Sequence, residues 1–157
     1  MIREATEADV PGIVRVINEA FEVEREFRKG DRTSPSEIGA LLAREVFLVA
    51  EQDGEIAGAV EVRVNGAIGY FGMLAVSKRA QGSGLGRALL DAAEDHCRRA
   101  GCTTMTLSTG EDRKDVIGWY ERIGYRVTSV EASTSSAFSR PIRVVHMVRP
   151  LAPMPIS

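Results

Sequence analysis

A strand-like apolar run ending at Leu74-Ala75-Val76 passes through a glycine-dense turn, Gln81-Gly82-Ser83-Gly84-Leu85-Gly86, straight into an amphipathic helix carrying Arg87, Leu89 and Leu90. This junction constrains the fold more than any other part of the chain. Glycine tolerates positive φ and lets backbone approach an anion, while the first-turn N–H groups of the next helix point outward at the positive end of its dipole. The junction therefore predicts a strand–turn–helix unit shaped to cradle phosphate, with a diphosphate as the first ligand to consider. The alternative is a glycine-rich connection with no ligand.

Spacing excludes two common phosphate motifs. A dinucleotide fingerprint needs G-x-G-x-x-G, and Gly82, Gly84 and Gly86 run G-x-G-x-G. A P-loop needs Lys and then Ser or Thr after its last glycine, where this chain has Arg87-Ala88. Composition removes other classes. The 157 residues, 44% apolar and 27% charged, suit one globular domain with a full core. A net charge of −2 lacks the basic excess of a nonspecific nucleic-acid binder, although Lys78, Arg79 and Arg87 gather around the glycine turn. No apolar run suits a bilayer and the N-terminus lacks a signal-peptide pattern, so no membrane partner and a cytoplasmic location are expected. Cys97 and Cys102 match neither C-x-x-C nor a zinc spacing, and His96 and His146 read as isolated from any Cys or carboxylate cluster, so reduced structural thiols and no metal are expected.

Along the chain, Ile2-Arg3-Glu4 reads as a strand. Thr6 to Asp9 resembles a capping box, and Val10, Ile13, Val14, Ile17, Ala20 and Phe21 recur at helical spacing, with the helix broken at Gly30-Asp31-Arg32-Thr33. Ser34-Pro35-Ser36-Glu37 opens a short second helix. Asp53-Gly54 and Asn65-Gly66 then separate three strand-like runs, Val46 to Ala50, Ile56 to Val64 and Ala67 to Val76, as an antiparallel meander. The helix Leu85 to Ala100, a strand Thr103 to Ser108, a helix Asp112 to Ile123, and strands Tyr125 to Val130 and Ile142 to Met147 complete an α/β mixed sheet of order β-α-α-β-β-β-α-β-α-β-β. One domain over 1–150 is expected, with 151–157 a Pro-rich frayed tail.

The turn Gln81 to Gly86 after Leu74-Ala75-Val76 resembles the central motif of the GNAT superfamily of acyl-CoA-dependent N-acyltransferases. The segment Trp119-Tyr120-Glu121-Arg122-Ile123-Gly124-Tyr125 resembles that family's F-Y-E-x-x-G-F signature, and the element order is the family's own. The resemblance covers nearly the whole chain. It implies that the fourth and fifth strands splay and that the pantetheine arm of acetyl-CoA pairs with Met73, Leu74, Ala75 and Val76. The pyrophosphate would then take N–H bonds from Gln81, Gly82, Ser83, Gly84, Leu85, Gly86 and Arg87. By the same resemblance Tyr120 protonates the departing thiolate. An aromatic packed on a helix's core face is the other reading of that tyrosine. Where family members often carry Asn seven residues before the tyrosine, this chain has Arg113, which reaches a CoA phosphate or merely starts a solvated helix.

An arginine in the first turn of a helix opposes the dipole unless an anion is near, so Arg87 also points toward a bound phosphate. An amine acceptor with a pKa of about 10.4 must lose a proton before it attacks a thioester. Glu61 is the candidate base, because strand alternation sets Ile56, Val60, Val62 and Val64 on one face and Glu61 with Arg63 on the other. Glu111 and Asp112 are alternatives. A backbone N–H near Leu74 would meet the oxyanion. The first two helices, Asp31-Arg32-Thr33 and the loop Ser133 to Arg140 should choose the amine, and Glu22, Glu24 and Glu26 would suit a cationic one unless they form a solvated face. The sequence leaves the acceptor, the acyl length and a homodimer open. A noncatalytic acyl-CoA-binding module is the rival to an acetyltransferase.

Overall fold

The computed structural model describes residues 1–153. Strand β1, Ile2–Glu4, leads to a 3-10 turn at Glu7–Asp9, where the Thr6 N–H donates to Asp9 Oδ2 at 2.8 Å. Helix α1, Val10–Ala20, follows with Pro11 in its first turn, where no intrahelical donor is lost. Ile13, Val16 and Ile17 lie on one side of α1 and are fully buried, each burial contributing roughly 1.5–3 kcal/mol before chain entropy is counted. Ser34 caps helix α2, Pro35–Leu42, by accepting the Glu37 N–H at 3.2 Å.

Strands β2, Val46–Gln52, β3, Glu55–Asn65, and β4, Ile68–Val76, form the expected antiparallel meander. Helix α3, Leu85–Arg99, strand β5, Thr104–Gly110, helix α4, Lys114–Ile123, and strands β6, Arg126–Ala132, and β7, Arg143–Pro150, complete the chain. One seven-stranded mixed sheet results, in the order β1-β2-β3-β4-β5-β7-β6. Its one parallel pairing joins β4 to β5. On one face α1 and α2 pack over Phe47, Val49, Ala59, Met73 and Ala75. On the other, α3 and α4 pack over Val60, Phe71, Met105, Leu107 and Met147. Among the described residues no helix is long and apolar enough to cross a membrane.

Four expectations need correction. The first helix stops at Ala20 rather than at Gly30, because the apolar periodicity ends there and the chain turns into a 3-10 segment over Glu22–Glu26 that carries Glu24 inward. The alternation in β3 is broken, since Ala50 faces Gly58 while Glu51 faces Ile56. This bulge puts Ile56 in the α1 core with Ala59, not beside Val60 and Val62. The helix expected from Asp112 starts at Lys114, and the last strand extends to Pro150. Finally, the chain after Arg149 is tied down: Leu151 is buried and donates its N–H to Thr103 O at 2.9 Å, and Ala152 O accepts from Arg98 Nε at 3.0 Å. Positions 154–157 of the expected tail lie outside the described residues.

Candidate active site

The β4–β5 pairing covers Ile68 to Tyr70 against Thr104 to Thr106 and no further. Beyond it β5 stays bonded to β7 as far as Gly110, while β4 continues along β3 to Val76. The two strands therefore splay, leaving the β5-facing edge of β4 from Phe71 onward without a strand partner. Within this stretch the register against β3 slips between Gly72 and Ala75, and Met73 sits at φ +51°, a conformation that non-glycine residues seldom adopt. Met73 and Leu74, in this bulge, both line the gap. A groove of about 350 Å³ occupies it, lined by Met73, Leu74, Ala75, Val76 and Gln81 along one wall and by Leu107, Ser108 and Tyr120 along another. An extended ligand with amide groups fits such an edge as a strand would.

At the exit of β4, Gly82 and Gly84 have φ of +81° and +84°, and Gly84 is the N-cap of α3. A side chain at either position would be strained in the left-handed region. Among the described residues the N–H groups of Gly82, Gly84, Leu85, Gly86 and Arg87 have no acceptor, whereas Gln81 N–H bonds Lys78 O and Ser83 N–H bonds Ala80 O. Free donors at the head of a fifteen-residue helix suit a diphosphate. Arg87 is not the uncompensated cation that its position suggested, because it pairs with Asp91 at 3.0 Å. Arg79 likewise pairs with Glu55 at 2.5 Å. Both pairs are exposed, so each holds its arginine by about 0–1 kcal/mol and is readily exchanged for a phosphate.

Tyr120 lies in the groove wall, its ring 5.6 Å from Phe71 and 6.0 Å from Tyr125 in edge-on contacts. Its hydroxyl has no hydrogen-bond partner among the described residues. Burial pushes its pKa up, with the Arg113 charge opposing, so it keeps its proton at neutral pH. Glu61 is 1% exposed and does not sit on a solvated face. It accepts from Arg63 Nε at 2.7 Å and lies behind Gly72, where a β-carbon would stand 3.2 Å from Glu61 Oε1 and 2.8 Å from the Tyr70 hydroxyl. Gly72 is thus the thin wall between Glu61 and the groove. Burial first, then the Glu61 charge, raises the pKa of Tyr70, which lines the groove on the same side. Glu111 and Asp112 are engaged elsewhere, with Arg143 at 2.5 Å and Arg140 at 2.9 Å.

Arg113 lines the groove but points to Glu24, with Nη1 donating to Glu24 Oε2 at 3.0 Å. Arg28 Nε donates to the other oxygen, Oε1, at 3.0 Å. Glu24 is therefore a buried, doubly paired carboxylate, not part of an acidic face, and this overturns the expectation that the segment suits a cationic amine. His146 is also not isolated. Its Nδ1 stands 2.8 Å from Ser108 Oγ in the groove wall, and its Nε2 stands 2.6 Å from Glu131 Oε1. These residues come from β5, β7 and β6, and the pairings Ser108↔His146 and Glu131↔Val144, which set Glu131 diagonal to His146, bring them together. Alternation along each strand is the one signal in the sequence, and it does not say which strands pair. Both cysteines are buried and free, and burial pushes the Cys97 thiol up to about 12, which fits a structural role.

The Acetyltransferase (GNAT) family description matches residues 12–125, and the chain belongs to that family. Its fold is shared by solved structures of low sequence identity. The ribosomal-protein-alanine N-acetyltransferase from Brucella melitensis superposes with a TM-score of 0.78 at 21% identity, over 96% of this chain and 99% of that one. A GNAT superfamily phosphinothricin acetyltransferase from Sinorhizobium meliloti, in complex with AcCoA, gives 0.78 at 20% identity over 97% and 88%. The putative acetyltransferase yncA from Salmonella typhimurium, with its cofactor acetyl-CoA, gives 0.74 at 22% identity over 100% and 96%. At these identities the likeness is one of fold.

Proposed function

We propose that the protein is a cytoplasmic N-acetyltransferase that moves an acetyl group from acetyl-CoA to a primary amine by direct attack in a ternary complex. The observation that carries this reading is the splay of β4 from β5, which runs from the glycine cradle to a wall containing a protonated, unbonded Tyr120 hydroxyl. Gly82 to Arg87 would hold the pyrophosphate, each dipole interaction contributing about 0.3–1 kcal/mol when exposed. The amides of the pantetheine arm would pair with Met73 to Val76. The amine attacks the thioester carbonyl, the oxyanion is met by a backbone N–H near Leu74, and the collapsing intermediate expels the thiolate, which takes its proton from Tyr120. Because a thiolate of pKa about 8.5 already leaves tolerably, the acid contributes toward the lower end of ~10²–10⁴ in rate.

Glu61 serves as base at one remove, across Gly72. A second reading of the base has its own observation: the Ser108–His146–Glu131 chain opens directly on the groove, and the imidazole takes the ammonium proton through Ser108 Oγ. Glu61→Gln and His146→Phe separate the two, since only the variant that removes the true base flattens the acidic limb of the pH–rate profile. The parent reading is tested by thiol release from acetyl-CoA across a panel of amines, together with calorimetry of coenzyme A. Turnover that Tyr120→Phe slows without weakening CoA binding supports it. CoA binding with no turnover of any amine leaves a noncatalytic acyl-CoA-binding module, and tight CoA binding by Gly84→Val shows the cradle to be misplaced.

A further inference from the structure

We infer that the groove carries a carboxylate site at Arg32, and that the acceptor is a small amine bearing a carboxylate, of the α-amino-acid class. The term acceptor rests on the acetyltransferase reading above; the anion site does not.

The charged side chains lining the groove are Glu24, Arg28, Arg32 and Arg113. Glu24 has both oxygens occupied, one by Arg28 and one by Arg113, each at 3.0 Å. Arg113 also reaches the exposed Asp115 at 3.4 Å. Arg28 and Arg113 are thus each hydrogen-bonded to a carboxylate, and Arg32 is the lining guanidinium that is not, with Glu24 and Glu37 acting on its charge only from a distance. Among the described residues Arg32 has no carboxylate partner, and it lies against the Phe21 ring with its central carbon 5.3 Å from the ring centre. Burial, reinforced by the neighbouring Arg28 charge, pulls its pKa down. A partly buried guanidinium without a partner is costly to hold and becomes favourable when an anion binds it through two parallel N–H bonds.

Arg32 is close enough to Tyr70 for its charge to act on that hydroxyl, and Tyr70 is the last β4 residue paired with β5, where the splay begins, six residues before Val76. The groove is also roofed, over the Gly110 end of β5. Arg28 bridges Phe138 in antiparallel fashion, Lys29 N–H bonds Ala137 O at 2.7 Å, and Ser139 N–H bonds Phe27 O at 2.9 Å. The Phe27 and Phe138 rings close the span at 6.1 Å. Such a roof admits a small molecule more readily than a folded chain. A polyamine would bring a second cation to a groove already lined by three guanidiniums.

The test pairs amino acids with their carboxamides, as acceptors in the thiol-release assay and as ligands in calorimetry with the protein both free and saturated with coenzyme A. Carboxylates should bind and react about 10- to 100-fold better than the amides, as expected for one charge-assisted bidentate bond. Arg32→Gln should erase that ratio while leaving the KM for acetyl-CoA unchanged, and Arg32→Lys should restore part of it. Amides or spermidine used as well as carboxylates, or equal losses for both in Arg32→Gln, would overturn the inference. So would acetyl-CoA binding with no carboxylate binding. If coenzyme A fails to bind, the acetyltransferase reading falls, and calorimetry of amino acids on the free protein still decides the carboxylate site.

Discussion

Two buried glutamates face opposite sides of this sheet and are handled differently. Glu94, on α3, is 2% exposed; it accepts the Tyr125 hydroxyl at 2.7 Å and Arg149 Nη1 at 3.0 Å on each oxygen. Arg98 approaches it at 3.9 Å but gives its closer bond, at 2.7 Å, to Asp95. Charges balance there, and every group belongs to the scaffold that joins α3 to β7 and to the entry of β6. Glu24, 4% exposed, accepts two hydrogen bonds to Glu94's three, and its neighbourhood holds a guanidinium, Arg32, with no carboxylate bonded to it and opens on the groove. A closed network locks the sheet, while an open one of the same chemistry waits for a ligand. The same contrast divides the two tyrosines, whose rings are 6.0 Å apart: Tyr125 is bonded to Glu94, and Tyr120 faces the groove unbonded.

The contrast breaks most visibly at Glu94→Gln. Removing one partner of a buried ion pair leaves Arg149 uncompensated, so denaturant unfolding should show a loss of about 3–5 kcal/mol with the KM for acetyl-CoA unchanged. Next comes Tyr120→Phe, expected to lower kcat about 100-fold, or about 2.7 kcal/mol of barrier, with a midpoint of unfolding close to that of the parent. Tyr125→Phe should do the reverse, costing about 1.5–3 kcal/mol of stability through the lost bond to a carboxylate and leaving kcat alone.

Titration sharpens the comparison further. Burial raises the folded pKa of both tyrosines, and the bond to Glu94 adds to the rise at Tyr125. A raised folded pKa means that the stabilisation is whole below the unfolded value near 10 and is lost as pH climbs through the folded one. The tyrosine contribution should therefore stay level to about pH 10 and fall above it, after a shallower loss from the raised Cys97 thiol that begins near pH 9, and Tyr125→Phe should flatten the later fall. The smallest effect is at the sheet edge, where Arg3 holds Asp9 down to about 2. That contribution is present above about pH 3.9 and fades as pH drops toward 2, and Asp9→Asn should cost about 1 kcal/mol or less at neutral pH.

Local chemistry made the scaffold readable. Glycine at 82 and 84, Ser34-Pro35 before α2, and the two Gly-containing turns of the meander each act within a few residues, so element order and cradle followed from the chain alone. Misreadings fell where distant residues decide. Glu24 looked solvent-facing beside Glu22 and Glu26 because its partners include Arg113, far along the sequence. Ile56 changed faces because a bulge against β2 shifted the period of β3. His146 looked isolated until β7 was seated between β5 and β6.

Periodicity and turn chemistry are short-range quantities, and they determined the α/β order, the glycine turn ahead of α3 and the placing of Tyr120 on α4. The gap between β4 and β5, the thin wall at Gly72 and the unbonded guanidinium of Arg32 exist only once strands have partners. Which backbone edge stays unpaired, and which guanidinium stays unmatched, are sums over the whole assembly, and a linear pattern does not contain those sums.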